Sequence, residues 1–321
     1  MSAAGTAGTA GTAAAPATFV RTDVPRLRPA PTVPSGPPRP GLVRRLWRRA
    51  SEVVTQVTVL GVTAVWLLPT LGLAMASLRT AGDNSVTGWW TALAEPNQLT
   101  VENYVALLSN ETILRSLWNT VLITVPSTVL VVVVGAFAAY ALTWLEFPGR
   151  DWLLVVLVAL IVVPVQVAIL PNARLFDLLG IYGHLAGVVL FHVAFGLPLA
   201  VFLLRGFFRS IPQDLVAAAR LDGGSELAVF ARVVLPLSGP ALAALAIFQF
   251  LWVWNDLLVA LVFATAESAP ITYALREQMR AFSSNIDVIG PGAFLSMSVP
   301  LIVFFAFQRY FVHGVLAGST K

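Results

Sequence analysis

Six long apolar runs, separated by shorter polar segments, set the organisation of this 321-residue chain. A helix needs about 20 predominantly apolar residues to cross the hydrocarbon core of a bilayer, and each run is close to that length or exceeds it. The pattern therefore predicts an all-α, polytopic membrane protein with six transmembrane helices. The runs lie at about residues 53–78, 117–142, 153–170, 185–204, 240–263 and 294–311.

The composition supports a membrane protein. Charged residues make up only 11% of the chain and hydrophobic residues 57%, whereas soluble domains carry roughly 25% charged residues. The chain has no cysteine, which excludes disulfides and thiolate metal sites, and we expect neither a metal nor a nucleic acid. Residues 1–42 are rich in Ala, Gly, Thr and Pro. They are predicted to form a disordered cytoplasmic tail, and residues 43–321 the transmembrane domain.

Basic residues are distributed unequally between the two sides of the predicted membrane. Six spans place both termini on one side, and the segments on that side hold fifteen of the 20 Lys and Arg residues. Because basic residues concentrate in cytoplasmic loops, both termini and residues 211–236 are predicted to be cytoplasmic. Residues 79–116 and 264–291 then form outer loops.

Residues 211–236 carry five charged side chains between two apolar runs. Each charge costs about 2.5–3.5 kcal/mol near a bilayer centre, which excludes the segment from the membrane interior. Residues that commonly begin or end helices predict two short helices here: Pro212 begins the first and Gly223 ends it. Ser225 then caps the second helix and Pro236 stops it. The five charged residues are Asp214, Arg220, Asp222, Glu226 and Arg232.

The two predicted helices differ in their surfaces. In the second, Leu227, Phe230 and Val234 share one face and are expected to pack on membrane helices. In the first, three successive alanines at 217–219 leave the surface nearly free of bulk, so that another backbone can approach closely. The segment is therefore predicted to be a docking surface on the cytoplasmic side.

The register of this loop resembles the EAA motif of ABC-importer permease subunits. That motif reads EAA, three residues, Gly, nine residues, then Ile-x-Leu-Pro. Here Ala217-Ala218-Ala219, Gly223 and Leu235-Pro236 keep the spacing, although Ala217 replaces the motif's Glu. An ordinary amphipathic connector between membrane helices is the alternative, but a match across 20 residues favours the family.

The resemblance implies a type I ABC importer in a bacterial cytoplasmic membrane. Its partners would be a second homologous permease, two ATPase subunits that use ATP and Mg²⁺, and an external solute-binding protein. The chain lacks a Walker A sequence, which predicts a transport subunit and not an enzyme. The residues implied to couple to the ATPase are Asp214, Ala217, Ala218, Ala219, Arg220, Asp222, Gly223, Leu235 and Pro236.

Flanking motifs resemble the sugar-uptake branch, and most of all α-glucoside permeases. They include Leu117-Trp118-Asn119-Thr120 and Trp254-Asn255-Asp256. A non-sugar ABC permease remains an alternative, and an ion-coupled secondary transporter would need an intramembrane relay and usually an internal repeat. A non-transporting membrane scaffold gives no reason for the motif spacing.

Polar residues near or within the spans are candidates for the wall of a translocation path, since intramembrane polar groups are commonly functional. Hydrogen bonds between helices are the alternative explanation for these residues. His192 could also line the path, but we interpret it as a neutral histidine bonded to a neighbouring helix. The candidates are Asn119, Gln166, Asn255 and Asp256.

The outer loop 264–291 is long for a connector between membrane helices. Residues 273–282 are predicted to be helical, with apolar positions at Tyr273, Leu275 and Met279. The resemblance implies contact with the solute-binding protein, and the alternative is a simple hairpin closure. The candidate contacts are Tyr273, Arg276, Gln278 and Arg280.

Overall fold

The computed structural model describes the backbone of residues 42–281 and 286–317, and the side chains of residues 50–279 and 288–308. The predicted tail therefore lies outside the described residues except at Leu42. The chain divides into two units, residues 1–61 and 62–321, and the described part of the first unit belongs to a single helix. Within the described ranges the regular structure is helical and no strand forms, which confirms the all-α prediction.

The described residues form fourteen α-helical segments. Short 3-10 turns occur at Trp89–Leu93 and Pro96–Gln98, and a π-helical turn at Phe230–Val234. The bounds are α1 Leu42–Ser77, α2 Ala81–Val86, α3 Glu102–Leu108, α4 Glu111–Trp144, α5 Arg150–Val162, α6 Val165–Leu178, α7 Leu185–Phe208, α8 Gln213–Leu221, α9 Glu226–Val229, α10 Leu235–Leu237, α11 Gly239–Trp254, α12 Leu258–Phe263, α13 Ile271–Ala281 and α14 Ile286–Ala317.

Four of the predicted spans are continuous helices. The segments Ala50–Ser77, Glu111–Trp144, Leu185–Phe208 and Val288–Gln308 are each long and apolar enough to cross a membrane. Two further spans are possible as bent pairs of helices, in which α5 and α6 meet at 105° and the segment Glu226–Leu237 meets α11 at 76°. The described chain thus contains four unbroken candidate spans, or six when each bent pair counts as one.

The third apolar run is broken at a proline. Val163 and Pro164 both have extended backbone angles, with ψ of 120° and 136°. The ring of a proline disfavours helical angles in the preceding residue and removes a backbone N–H. The apolar run at residues 153–170 is therefore bent at Pro164, where α5 and α6 meet at 105°.

The fifth apolar run is also interrupted. Helix α11 ends at Trp254 and α12 begins at Leu258. In the gap, Asp256 Oδ2 accepts hydrogen bonds from the backbone N–H groups of Val259 and Ala260, at 3.0 and 3.2 Å. An aspartate that satisfies these groups begins a new helix, so the apolar run at residues 240–263 is divided between α11 and α12.

Helices α4 and α7 form the centre of the larger unit. Ala139 and Phe208 are fully buried in the core that they build with α11. A Cβ added to Gly135 would lie 3.3 Å from Ala200 Cβ, which indicates the close helix approach that small residues permit in membrane proteins. The same core continues into α8 and α9 through Val216 and Val229, which are each 1% exposed. The loop of residues 211–236 is consequently packed on the central helices.

The first of the two predicted outer loops, residues 79–116, is organised by a buried arginine. Arg79 is fully buried, and it donates to Gln98 Oε1 at 3.1 Å, to Asn84 Oδ1 at 3.2 Å and to Thr91 Oγ1 at 3.2 Å. Asn103 Nδ2 donates to the Arg79 carbonyl at 2.7 Å. A buried guanidinium with several hydrogen-bond acceptors is satisfied without leaving the protein, so this loop is a compact unit.

Candidate functional site

The first docking helix, α8, ends as its glycines predict. Asp222 is the C-cap residue, and Gly223 has a φ of 80°. The Gly224 N–H donates to the Ala219 carbonyl at 3.1 Å, and the Gly223 N–H to the Arg220 carbonyl at 3.0 Å. These two bonds define a Schellman turn. The predicted end of the helix at Gly223 is confirmed.

Gly224 is needed for a different reason from Gly223. A Cβ on Gly224 would lie 2.7 Å from the Ala219 carbonyl oxygen, whereas a Cβ on Gly223 would meet nothing within 4 Å. Gly223 is therefore required by backbone conformation and Gly224 by space. The sequence pattern marked the pair as a helix end but could not separate these two roles.

The second docking helix begins as predicted but ends later. Ser225 caps it by accepting from the Ala228 N–H at 3.3 Å. A π-helical turn spans Phe230–Val234, and the helix then continues through Pro236 to Leu237. The helix thus ends at Leu237, one residue after the predicted stop at Pro236.

The π turn also changes which side chains face the core. Phe230 and Val234 are buried, as predicted, but Leu227 is 64% exposed and Val229 takes an inward position at 1% exposure. A π turn has a longer period than an α-helix, which brings residues five positions apart onto one face. The predicted inward position of Leu227 was therefore wrong.

A charged cluster ties the two docking helices to α4. Arg220 Nε lies 2.9 Å from Glu226 Oε1, and Arg220 Nη2 donates to the Trp144 carbonyl at 3.0 Å. The Tyr140 hydroxyl donates to Glu226 Oε2 at 2.6 Å. The hydrogen bond from Arg220 to the Glu226 carboxylate, and to a smaller extent the one from Tyr140, holds the pKa of Glu226 below its ordinary value. Arg220, predicted as a coupling residue, is thus already paired within the chain.

The outward face of α8 combines small and apolar residues. Asp214, Ala217 and Ala218 are exposed, and Leu221 is 88% exposed. Ala217, Ala218 and Leu221 share one face because they are spaced three and four residues apart. Sequence analysis identified the alanines but missed Leu221, although an apolar residue on the polar side of an amphipathic helix was a signal available in the pattern.

The remaining coupling candidates lie around this face. Asp222 and Pro236 are exposed, and Ala219 is half-buried against the core. Leu235 is 36% exposed. The structure thus brings α8 and the second docking helix together in one loop. Ala219 packs on the core, and the exposed Arg220 attaches the loop through its bonds to Glu226 and the Trp144 carbonyl.

The predicted path residues do not form one open polar wall. Asn119 is buried and donates to the carbonyls of Glu267 and Ala269 at 2.8 and 3.1 Å. Asn255 is exposed and donates to the carbonyl of Leu251, and Gln166 is exposed on α6. Asn119 and Asn255 therefore have partners within the chain, and a role in translocation stays a prediction for all the candidates.

Asp256 lies beside a buried histidine. His192 Nε2 is 3.6 Å from Asp256 Oδ2, and His192 Nδ1 is 2.9 Å from the Val188 carbonyl of its own helix. The Asp256 carbonyl also accepts from Thr272 Oγ1 at 2.6 Å. Asp256 therefore lies where α7 and the first turns of α12 and α13 meet.

Helix α13 confirms the predicted helix in the second outer loop. Its inward residues are Ile271 and Ala274, at 0% and 7% exposure, while the predicted apolar position Met279 is 57% exposed. Tyr273 and Gln278 are half-buried. Arg276 pairs with the adjacent Glu277 at 2.7 Å. The side chain of Arg280 lies outside the described residues.

The helical fold and the glycine-ended helix pair at residues 211–236 are those expected of the membrane subunit of a type I ABC importer. A family model described as the inner membrane component of binding-protein-dependent transport systems matches residues 113–316. The chain belongs to this family. Its proteins are inner-membrane transport subunits, in agreement with the resemblance and with the predicted membrane location.

Relatives and a solved structure agree with this assignment. The chain is 45% identical over 270 residues to the osmoprotective compounds uptake permease protein GgtD of Synechocystis sp., covering 83% of this chain and 91% of that protein. It is 44% identical over 250 residues to the alpha-glucoside transport system permease protein AglG of Rhizobium meliloti, covering 76% of this chain and 66% of that protein. A crystal structure of a bacterial ABC transporter that imports alginate matches with a TM-score of 0.65 and 21% identity, covering 86% of this chain and 100% of the matched chain.

Proposed function

We propose that this chain is the permease subunit of an importer for sugars or oligosaccharides of the α-glucoside kind, and that residues 211–236 couple it to the ATPase subunits. The observation that supports the coupling role best is the composition of the outward face of α8. There Ala217, Ala218 and Leu221 are exposed while the helix is anchored to the core by Val216. Small residues beside one exposed leucine suit insertion into a cleft of a partner protein. The name of the alpha-glucoside relative supports the class of solute.

The mechanism follows from how the loop is attached. Helix α8 is joined to α4 through the bond from Arg220 to the Trp144 carbonyl, and the second docking helix through the bond from Tyr140 to Glu226. When ATP and Mg²⁺ close the two partner ATPase subunits, a docked loop held in this way moves α4 and α7 with it. The permease pair then alternates between inward- and outward-facing states, a two-state change biased by ATP at one site and solute at another.

The outer side supplies the second set of contacts in this proposal. A solute-binding protein outside the membrane delivers the sugar, and α13 with Tyr273, Arg276 and Gln278 contacts it. These three side chains are half-buried, with surface left for a partner. A second homologous permease completes the path. The distribution of basic residues supports a position of α13 outside the membrane and of α8 in the cytoplasm.

The test is reconstitution of the complete transporter. The chain is purified from its native membrane with its partners, and ATPase activity is measured with and without loaded binding protein. Co-purification of an ATPase and a second permease, with stimulation by the binding protein and ATP-dependent uptake of maltose, trehalose or sucrose, is the expected result. Uptake that persists without ATP and collapses with an ionophore would establish the ion-coupled alternative. ATP-dependent uptake of only non-sugar solutes would overturn the sugar assignment.

A further inference from the structure

A cavity lined by three arginines lies at one end of the membrane helices. The end of α4, the beginning of α5, the end of α7 and the beginning of α8 surround it. Its volume is about 290 Å³, which is close to the smallest ligand sites, of roughly 300 Å³. None of the described residues that line it is acidic. The side chains of this arginine cavity include Thr143, Trp144, Arg150, Arg205, Arg209 and Gln213.

The positive charge of the arginine cavity is poorly compensated. Arg150 and Arg205 each donate to a backbone carbonyl near the end of α4, in both cases at 3.3 Å. Asp151 Oδ1 lies 3.6 Å from Arg150 Nε, but the Asp151 side chain is 88% exposed, and such exposed pairs contribute little. Arg209, the C-cap residue of α7, is exposed and adds a third charge. Because like charges repel, an anion between these guanidinium groups is favoured.

A buried donor at the same cavity lacks an acceptor. Trp144 lines the cavity, and its Nε1 atom is buried without a hydrogen-bond partner in the described part of the chain. An indole N–H can only donate, and leaving a buried donor unpaired is unfavourable. This observation is independent of the charges and indicates the same kind of ligand, one that accepts hydrogen bonds.

The surface beside the cavity is suited to a lipid. Trp152 is 76% exposed and lies two residues from Arg150, and tryptophan is enriched at the level of the lipid head groups. On α7, Phe202 and Leu203 are 51% and 47% exposed, within one turn of Arg205. Apolar side chains of this kind can contact acyl chains, while basic pockets between membrane helices on the cytoplasmic side bind anionic head groups.

We propose that the arginine cavity binds a phosphate group with a net negative charge, as in the head group of an anionic phospholipid. Guanidinium groups match phosphate oxygens through paired hydrogen bonds, and the Trp144 N–H supplies a further donor. The bound phosphate joins α5 to α7 at the base of the docking loop. This inference goes beyond the proposed function and does not depend on the identity of the solute. Free phosphate has the same chemistry, and the experiment distinguishes the two sources.

The first test measures lipid binding by the assembled transporter. The complex is stripped of lipid in detergent and titrated with phosphatidylglycerol, and the lipid bound to this subunit is counted by native mass spectrometry. Arg205→Gln should weaken binding by about tenfold or more, because hydrogen bonds to charged groups are strong. Arg205→Lys keeps the charge but loses the planar fork, so its affinity should lie between those of the wild type and Arg205→Gln.

Two further variants separate the site from general charge effects. Arg232→Gln removes a positive charge on the same predicted side of the membrane, but Arg232 is exposed and does not line the cavity. Its affinity should stay within about twofold of the wild type. Arg209→Gln changes an exposed side chain, so it tests the site even where Arg205→Gln prevents assembly. Equal affinity of the wild type, Arg205→Gln and Arg209→Gln, or an equal loss in Arg232→Gln, would overturn the inference.

Competing ligands identify the source of the phosphate. Phosphatidylcholine should bind at least about tenfold more weakly than phosphatidylglycerol, because its choline cation offsets the phosphate charge. Inorganic phosphate at matched ionic strength should not displace phosphatidylglycerol from the wild type. Displacement by inorganic phosphate, with the same loss in Arg205→Gln, would support the phosphate site with free phosphate as its ligand. Equal binding of the two lipids, or no binding of either lipid or of phosphate, would overturn the inference. Binding is measured without transport, so failure of sugar uptake would leave this result unchanged.

Discussion

Substitutions at Gly223 test whether the turn between the two docking helices determines coupling. Gly223 has a φ of 80° in open space, so a side chain is opposed by backbone conformation and not by a clash. A left-handed conformation costs an L-residue about 1–2 kcal/mol, equivalent to a factor of roughly 5–30 in the population of the turn. Asparagine tolerates this region best among residues with a side chain, and β-branched residues tolerate it least.

The expected order of activity is therefore Gly223→Asn, then Gly223→Ala, then Gly223→Val. Gly224→Ala should also be severe, because its Cβ would lie 2.7 Å from the Ala219 carbonyl oxygen. The assays are ATP-dependent uptake and recovery of the ATPase subunits with the permease. Membrane insertion is measured separately, and Gly206→Ala serves as the helical glycine control.

Two results would refute this reasoning. The first is a Gly223→Val transporter with full uptake and normal ATPase recovery, because it would show that the left-handed turn is not needed for docking. The second is equal loss in the Asn and Val variants, because it would show that any side chain at the contact is harmful and that backbone conformation is not the cause.

Three further predictions concern the loop and the outer helix. Ala217→Glu should be tolerated, since an added rim charge changes binding by only about 0–1 kcal/mol, whereas Ala218→Trp should abolish ATPase recovery; equal tolerance would count against close packing. Tyr140→Phe should weaken the attachment of Glu226 by about 1 kcal/mol and lower ATPase-coupled uptake more than basal ATPase activity; an equal loss of both would point to general destabilisation. Gln278→Cys should crosslink to the binding protein in the ATP-trapped complex, and labelling from the cytoplasmic side alone would reverse the topology.

Local signals in the sequence predicted the local turns well. Gly223 and Ser225 act through their own backbone conformation or their own side chain, so each could be interpreted without knowing the tertiary structure. Leu227 was misplaced because the π turn at Phe230–Val234 shifts the buried face. Such a turn depends on packing against neighbouring helices, and the α-helical period cannot predict it.

Long-range contacts explain most of what the sequence could not show. The Tyr140–Glu226 bond joins residues 86 positions apart, and neither residue belongs to a motif that would pair them. Asp256 shows the opposite problem. Its position in an apolar run indicated a path residue, but the structure uses its carboxylate to begin α12. An intramembrane carboxylate can therefore satisfy a helix end, and its rarity alone does not distinguish that role from transport.

The C-terminal end of helix α7 belongs to the core that holds the two docking helices. Phe208 is fully buried in this core, which also contains Val216 of the first docking helix and Phe230 of the second. Cavities opened in such a core are costly. A displacement of the loop is therefore expected to move this end of α7 with it.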